Sequence, residues 1–571
     1  MTPEQAVAHV TQTNPCFAVG EADIRGVRER VFTNVPNDLP ALLRAAEPLY
    51  ADGHALFAYQ DEHWSYERGC ADVRRVAHAL AHRFGVQRGD RIALVLRNYP
   101  ELPLLIFAIN AIGAVAVPMN GWWTAPELRY GLQDCGARVV FAEARSAERV
   151  APICAELGIT VLGVRDATVT PHYDELVRAD QSDPGWPEIA IGTDDDFGIF
   201  YSSGSTGRPK GVVLTHRGAI SAVYSWLFLR ELPPLIDGMP KPPDDTPLVA
   251  LATTPIFHVT ALQAITLQCI ARGGTVVLMY KWNAEEAVRT IVRERVTVLS
   301  GVPTQTADLL EASQRLGVRL DHLVAIGSGG AKRPAAQVAP LAEAFPWASV
   351  GSGWGLTETN ALGTVGSGPD YVAHPESTGR AVPPLQEIRV VDERGQSLPA
   401  GQVGELLVKG PNVMRCYLNL PEDTARTLQD GWLHTGDLGT IDATGLITIV
   451  DRKKNIIVRG GENVACLEVE GALHAHPDVL EACVFSIPDE HLGEIVGAGV
   501  RTKLGAHVDA AALKAFLSTR LAKFKIPERI WLRTSELPRG GTGKLGRRAL
   551  RAECLKTLEA ERGRGDDSVQ R

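Results

Sequence analysis

The sequence lacks the marks of several classes of protein. Its nine cysteines are an odd number and form no CxxC pair, so neither a disulfide framework nor a zinc site of paired cysteines is indicated. The first residues, MTPEQAVAHVTQTNP, contain neither a basic start nor an apolar run, which gives no sign of a secretory signal. We therefore expect reduced thiols and a cytoplasmic location.

Basic residues are also in short supply. The 571 residues include 58 Lys and Arg against 67 Asp and Glu, a formal net charge of -9. Binding to a phosphate backbone normally appears as a clustered basic excess. A nucleic-acid partner is therefore not expected, and any anionic ligand must be bound by a few basic groups or backbone donors at its own site.

Only one apolar run approaches the length of a membrane span. It covers residues 102–119, LPLLIFAINAIGAVAVPM. Asn110, Gly113 and Pro118 divide this run into a helix and a short strand, a buried pair that is common in α/β cores. We predict no membrane span here.

The periodicity of the chain predicts an α/β fold. Strand-like runs such as 91–96, 275–279 and 296–299 alternate with helical patterns such as 71–84 and 284–293, which is typical of βαβ units and largely parallel sheets. We predict a large N-terminal domain of stacked mixed sheets with helices (1–453), which includes a small β-rich subdomain at about 385–450. A polar break at 451–455 separates it from a small, mobile α+β C-terminal domain (454–571).

The strongest single motif is YSSGSTGRPKG at 201–211. Its glycines let backbone N–H groups approach a polyphosphate, its hydroxyls add donors, and its lysine adds charge. No GxxxxGK[ST] pattern fits, so it is not a Walker P-loop, and the same composition also makes flexible turns. The candidate phosphate-binding residues are Ser202, Ser203, Gly204, Ser205, Thr206, Gly207 and Lys210.

A second motif, GWGLTETN, occupies residues 353–360. Trp354 could stack on a nucleobase, Glu358 could bind Mg²⁺ through its carboxylate, and Thr357 could donate to a phosphate. Alternatively, Trp354 is a core residue and Glu358 a solvated loop charge.

Two further segments carry one candidate residue each. Asp437, in HTGDLG, could accept from the two hydroxyls of a ribose, or it simply forms a turn. Lys544 ends the glycine-rich loop LPRGGTGK at 537–544. If this loop reaches the phosphates, Lys544 could neutralise charge on the transferring oxygens; otherwise it is surface charge.

In this order and at these separations, the motifs resemble those of the adenylate-forming (AMP-binding) superfamily, which includes acyl-CoA synthetases, nonribosomal peptide adenylation domains and firefly luciferases. The resemblance spans roughly residues 50 to 555. It implies an enzyme that uses ATP to convert a carboxylic acid to acyl-AMP and pyrophosphate, and then transfers the acyl group to coenzyme A. Two alternatives remain: delivery to a carrier protein, or a catalytically silent acyl-nucleotide binder.

The resemblance also implies a role for each matching residue. The loop 202–210 clasps the phosphates of ATP, Thr206 and Glu358 lie near Mg²⁺, and Lys544 bridges the carboxylate and the α-phosphate. Trp354 packs against adenine where most relatives have tyrosine. The other implied nucleotide contacts are Gly329, Gly330 and Ala331 beside the adenine and the acyl group, Gly353, Gly355 and Thr357 around the motif, and Asp437 and Arg452 on the ribose.

The second half-reaction has its own implied residues. Lys454 matches the hinge about which the C-terminal domain of such enzymes rotates. His258, in PIFHV, is a candidate gate of the acyl site, with a plain core histidine as the alternative. The channel for the pantetheine arm of CoA is implied at Gly460, Gly461, Glu462 and Asn463.

The identity of the acid is less constrained. The segments DIRGV at 23–27 and NGWWT at 120–124 resemble those of bacterial medium- and long-chain acyl-CoA synthetases, which favours a fatty acid or another hydrophobic acid. Aryl acids and steroid side-chain acids stay open. The expected partners are the acid, ATP, Mg²⁺ and CoA, and a homodimer is not excluded.

Overall fold

The fold is described from a computed structural model of the chain. It describes residues 1–49, 54–178, 182–202, 209–236, 248–540 and 544–566. Within these residues are 28 strands and 19 helices.

The strands, numbered in chain order, are β1 Val19–Ile24, β2 Val27–Phe32, β3 Ala55–Tyr59, β4 Glu62–Ser65, β5 Arg91–Val95, β6 Val115–Pro118, β7 Val139–Glu143, β8 Thr160–Val164, β9 Asp196–Ser202, β10 Lys210–Thr215, β11 Val249–Ala252, β12 Thr275–Leu278, β13 Val298–Gly301, β14 Ala325–Ser328, β15 Ser349–Trp354, β16 Thr364–Ser367, β17 Arg380–Ala381, β18 Glu387–Val391, β19 Gly404–Lys409, β20 Cys416–Tyr417, β21 Leu428–Gln429, β22 Trp432–Ile441, β23 Ile447–Arg452, β24 Ile456–Arg459, β25 Glu462–Ala465, β26 Val479–Asp489, β27 Gly493–Thr502 and β28 Arg529–Arg533.

The helices are α1 Pro3–Thr13, α2 Leu39–Ala46, α3 Tyr66–His82, α4 Glu101–Ala111, α5 Ala125–Cys135, α6 Ala144–Leu157, α7 Tyr173–Leu176, α8 His216–Leu229, α9 Pro233–Ile236, α10 Val259–Ala261, α11 Gln268–Ile270, α12 Ala284–Arg293, α13 Pro303–Leu316, α14 Val338–Ala344, α15 Gly368–Ala373, α16 Pro421–Thr427, α17 Cys466–His474, α18 Ala510–Ser518 and α19 Arg547–Asp566.

Two large mixed sheets form the N-terminal part of the molecule. One has seven strands in the order β20-β10-β9-β6-β5-β7-β8, and the other has nine in the order β17-β16-β15-β14-β13-β11-β12-β3-β4. All eleven residues of α4 are buried in a core to which strands of both sheets contribute, as expected of a helix that is apolar on every face. The α/β fold class is thereby confirmed.

The apolar run at 102–119 divides as the sequence predicts. It forms most of α4 and then β6. No helix in the described part of the chain is long and apolar enough to cross a membrane.

Two predicted boundaries differ from those of the structure. Helix α3 begins at Tyr66, five residues before the predicted start, because the side chain of Ser65 caps it by accepting from the N–H of Arg68. Strand β13 starts at Val298, two residues later than predicted. Apolar patterning therefore located both elements but not their ends.

Parallel strands of the nine-stranded sheet bring several loops to one edge. Strands β11, β13, β14 and β15 are parallel neighbours, so their carboxyl ends lie at the same edge of the sheet. Open α/β sheets bind ligands in a crevice at this edge.

The remaining residues form two smaller sheets. Strands β18, β19, β22 and β21, with β23 paired to β22, make a five-stranded sheet over residues 387–452. Another begins at Ile456 and includes β24 to β28; α17 and α18 pack on its core. Lys454 lies between the two sheets in a 3₁₀ turn, Lys453–Asn455. The domain limits and the hinge at Lys454 stay predictions.

Candidate active site

Lys544 reaches the carboxyl-terminal edge of the nine-stranded sheet. The N–H of Gly540 donates to the carbonyl of Lys544 at 2.9 Å. A Cβ atom added to Gly330 would lie 3.1 Å from Cε and 3.5 Å from Nζ of Lys544. The ammonium group is therefore held against the loop that follows β14.

The surroundings of Lys544 disfavour its protonated form. Desolvation by the walls of the cleft, followed by the charge of Arg452, lowers the pKa of Lys544 to about 8, while Asp437 and Glu358 act in the opposite direction. A bound anion beside the ammonium would raise this pKa and favour the charged form.

Asp437 is contacted at both carboxylate oxygens, but only Oδ2 receives a hydrogen bond within the described residues. It lies opposite Arg452 in the pairing of β22 with β23, and Arg452 Nε is 2.9 Å from Asp437 Oδ1. The indole N–H of Trp354 donates to Asp437 Oδ2 at 2.8 Å. The side chain of Asp437 is 3% exposed and that of Arg452 46%, so a buried acceptor is presented beside an accessible guanidinium.

Glu358 lies in the short 3₁₀ turn Thr357–Thr359, directly after the carboxyl end of β15. Its Oε1 accepts from the hydroxyl of Tyr417 at 2.8 Å. Within the described residues Oε2 receives no hydrogen bond, so a half-buried carboxylate oxygen remains for a hard cation such as Mg²⁺. Glu358 thus fits a magnesium ligand, whereas the second predicted ligand, Thr206, lies outside the described residues.

The phosphate loop is described only at its two ends. Ser202 ends β9 and Lys210 begins β10, and the two residues pair across these antiparallel strands. Lys210 Nζ is 2.6 Å from Asp423 Oδ2. The other predicted loop residues, Ser203, Gly204, Ser205, Thr206 and Gly207, lie outside the described residues.

The predicted nucleotide-side glycines lie at strand ends. Gly329, Gly330 and Ala331 follow β14, and Gly353 belongs to β15, where it pairs with Val365. Gly355 must be glycine, because a Cβ atom there would clash with the backbone of Ala361. Thr357 begins the 3₁₀ turn beside Glu358.

His258 lies at the amino end of α10. Its Nε2 is buried and has no hydrogen-bond partner within the described residues. Burial, and to a lesser extent the ammonium of Lys544, lower the pKa of His258 to about 3. The imidazole is therefore uncharged near pH 7 and can pack against an uncharged part of a ligand.

The four predicted CoA-channel residues are not drawn into this cluster. Gly460 and Gly461 form the turn between β24 and β25, Glu462 and Asn463 begin β25, and all four residues are exposed. Gly461 has a φ of 88° and open space where a side chain would begin. Their role in CoA binding stays a prediction.

Tyr417 and Asp423 belong to this cluster, and sequence reasoning missed them. Tyr417 contacts Glu358, and Asp423 contacts Lys210. No motif marks either residue, because a two-residue strand and a seven-residue helix carry too little periodicity to reveal what they face.

The cluster thus combines the cation of Lys544, a buried carboxylate beside an aromatic ring, and a carboxylate suited to Mg²⁺. These groups make it a candidate site for a nucleotide and an anionic co-substrate.

Comparison with known proteins agrees with this class. The model of the AMP-binding enzyme family matches residues 44–418, and that of the AMP-binding enzyme C-terminal domain matches residues 468–544. The chain therefore belongs to the AMP-binding enzyme family, the adenylate-forming superfamily that the motifs indicate.

Three similar proteins show how far the likeness extends. Feruloyl-CoA synthase of Amycolatopsis sp is 35% identical over 83% of this chain and 90% of its own. 4-Coumarate–CoA ligase 3 of Oryza sativa subsp. japonica is 31% identical over 89% of each chain. The solved structure of the Mycobacterium tuberculosis fatty acyl CoA synthetase is 30% identical, with a TM-score of 0.70 over 91% of this chain and 99% of its own. The expected enzyme class, an acid–CoA ligase, is confirmed.

Proposed function

We propose that the chain activates a carboxylic acid with ATP to form acyl-AMP and pyrophosphate, and then forms the CoA thioester. The observation that carries this proposal is the position of Lys544 against Gly330, beside the Asp437–Arg452 pair. In this role Asp437 binds the ribose, Trp354 packs on the adenine, and Lys544 neutralises charge as the carboxylate attacks the α-phosphorus.

Repulsion between the two anions is the main barrier to this attack, and a fixed cation at the reacting oxygens lowers it. Lys544 supplies that cation from the protein. Mg²⁺, when bound at Glu358, would neutralise charge on the departing pyrophosphate. The acyl-AMP product is an electrophile that a thiol can attack.

The preferred substrate is an aromatic acid of the hydroxycinnamate type. Two relatives named for feruloyl and coumarate substrates support this choice, and they do not support the fatty acid favoured from segments 23–27 and 120–124.

A fatty acid is the second candidate, since the chain is also similar to a fatty acyl-CoA synthetase of known structure. The two candidates are separated by measuring kcat/KM for AMP-forming thioester synthesis with ferulate, 4-coumarate, octanoate and palmitate. We expect at least a tenfold preference for one of the aromatic acids, the size of discrimination that a shaped apolar pocket provides. Faster turnover of either fatty acid would reject the aromatic assignment.

The acceptor is tested by the same assay with and without CoA. We expect acyl-AMP alone without CoA and the thioester with it. Adenylate that CoA does not consume would instead favour a carrier protein as acceptor, and an absence of adenylate with every acid would favour a silent binder.

A further inference from the structure

The ring of Tyr417 separates two oppositely charged groups of the active site. Its hydroxyl donates to Glu358 Oε1 at 2.8 Å. Lys210 Nζ lies over the face of the same ring, 4.9 Å from the centroid, within the range of a cation–π contact. One side chain therefore holds an anion at its tip and a cation on its face.

The backbone around Tyr417 fixes this ring in place. Strand β20 pairs antiparallel with β10, and Tyr417 lies opposite Val212, two residues beyond Lys210. The N–H of Tyr417 donates to Thr424 Oγ1 at 2.9 Å. Because Thr424 belongs to α16, both a strand and a helix position the ring.

Asp423 of α16 holds the ammonium from another side. Its Oδ2 is 2.6 Å from Lys210 Nζ, and each of these side chains is 17% exposed. Arg426, one helical turn later, also pairs with Asp423. Lys210 is thus bound by a ring face and by a carboxylate that is not Glu358.

Without this arrangement, Lys210 and Glu358 would attract each other in a partly buried cleft. A direct ion pair would draw the ammonium onto the carboxylate oxygens that a metal ion needs. A phenol avoids this loss, because it donates one hydrogen bond to Oε1 without adding charge. Burial and the nearby Glu358 raise the pKa of Tyr417, so the phenol stays protonated.

We propose that Tyr417 is a positioning residue that keeps Glu358 and Lys210 apart and aligned for a Mg²⁺-bound polyphosphate. This inference rests on the proposed function, in which Glu358 and Lys210 serve the nucleotide. Tyr417 touches neither metal nor phosphate in this role and acts through the two charged residues.

The test compares nucleotide binding with and without Mg²⁺ in the full-length Tyr417→Phe variant. The probe is α,β-methylene ATP, and the quantity is the ratio of its dissociation constants in excess EDTA and in excess Mg²⁺. We expect the ratio to fall about tenfold, the effect of losing one hydrogen bond to a charged group. The control is Tyr66→Phe, which removes a hydroxyl that donates to the carbonyl of Gly274 at 2.8 Å in the core and should leave the ratio unchanged.

A double-mutant cycle with Glu358→Gln tests whether Tyr417 acts through Glu358. In the Glu358→Gln background, Tyr417→Phe should produce no further change in the ratio. Independent, additive losses would overturn the proposal, as would an unchanged ratio in Tyr417→Phe alone.

A second variant keeps the proposal testable if Tyr417→Phe does not fold, which thermal unfolding would show. Asp423→Asn releases Lys210 toward Glu358 and should lower the same ratio severalfold; an unchanged ratio would contradict the proposal. If the wild-type chain shows neither Mg²⁺-dependent binding of the probe nor acid-dependent adenylation, the proposed function itself fails. If the wild type shows both and the variants match it, only the role of Tyr417 fails.

Discussion

The hydrogen bond between Trp354 and Asp437 links the adenine side of the site to its ribose side. Because Trp354 Nε1 donates to Asp437 Oδ2 at 2.8 Å, the ring that would pack on the base also orients the carboxylate that would accept from the sugar. A tyrosine at position 354 would lack this indole N–H. Tryptophan therefore supplies a polar contact as well as a flat face.

Replacing Trp354 by Phe should weaken ATP binding, because the hydrogen bond to Asp437 is lost. The ring face remains, but Asp437 loses its neutral donor, so we expect KM for ATP to rise about tenfold with a smaller change in kcat. Steady-state kinetics with saturating acid measure both constants. Trp347→Phe is the matched control, because its indole N–H donates at 3.0 Å to Leu320, remote from the site; an equal rise in both variants would contradict the prediction.

Lys544 should give adenylation an alkaline limit. Its pKa is lowered to about 8, and the cationic form exists below that pKa and is lost as the pH rises through it. We therefore expect kcat/KM for acyl-AMP formation to decline above about pH 8 in the wild type.

Lys544→Arg tests this assignment, since arginine keeps its charge across the range. Whatever activity remains in this variant should show no decline between pH 8 and 9.5. An unchanged alkaline limb would assign the titration to another group.

For single residues, the sequence indicated most of the charged groups of the candidate site but not the residues that contact them, such as Tyr417. Asp437, Arg452, Glu358 and Lys544 occur in recognisable motifs, so the resemblance could assign a role to each. Tyr417 contacts a residue 59 positions away across a pairing of separate segments. Such a contact depends on tertiary structure and leaves no local pattern.

Among the elements, the turn between β24 and β25 offers the clearest test of the predicted CoA channel. Gly461 has a φ of 88°, and the space around its Cβ position is open. A leucine there would cost about 1–2 kcal/mol of backbone strain without a steric clash. Under the predicted role of this turn, Gly461→Leu should retain pyrophosphate exchange and lose thioester formation.

Gly505→Leu is the control for that strain. Gly505 has a φ of 81° and equally open space, and it lies in another turn of the C-terminal part. Both half-reactions should survive in Gly505→Leu. If Gly461→Leu keeps thioester formation as well, the turn is not part of the CoA channel.

Element types were largely predictable because apolar periodicity determines them. The predicted helix at 284–293 matches α12, and the apolar run at 102–119 divides into α4 and β6. The ends of helices and strands were less predictable, as the Ser65 cap at the start of α3 shows. A cap is a single side-chain hydrogen bond, and several nearby polar residues could have provided it.

For the whole molecule, the predicted hinge at Lys454 would connect the two proposed half-reactions. In this structure Lys544 lies against Gly330, while residues Gly460–Asn463 are exposed. The position of Lys544 agrees with the proposed adenylation step, and a different arrangement of the C-terminal part for thioester formation stays a prediction.

Lys454→Pro should therefore separate the half-reactions. Proline fixes φ and restricts the preceding residue, so it limits rotation at this position. We expect acid-dependent pyrophosphate exchange within about threefold of the wild type and thioester formation at least about a hundredfold slower. Equal loss of both activities, with an unchanged melting temperature, would argue against a hinge at Lys454.

The order of the sheets was beyond prediction from the sequence. Strand β20 lies at the edge of the seven-stranded sheet, beside β10, although about two hundred residues separate them along the chain. That pairing brings Tyr417 and Asp423 to Lys210. Chain order and periodicity do not encode such non-local pairings in a readable form.

The most direct test of the account is the effect of Lys544→Ala on the two half-reactions measured separately. Acid-dependent ATP–pyrophosphate exchange should fall by at least about a hundredfold, because a cation at the reacting oxygens is lost. Conversion of supplied acyl-AMP and CoA to the thioester should stay within a few-fold of the wild type. Retained exchange, or an equal loss of both half-reactions, would contradict the assignment of Lys544 to acyl-adenylate formation.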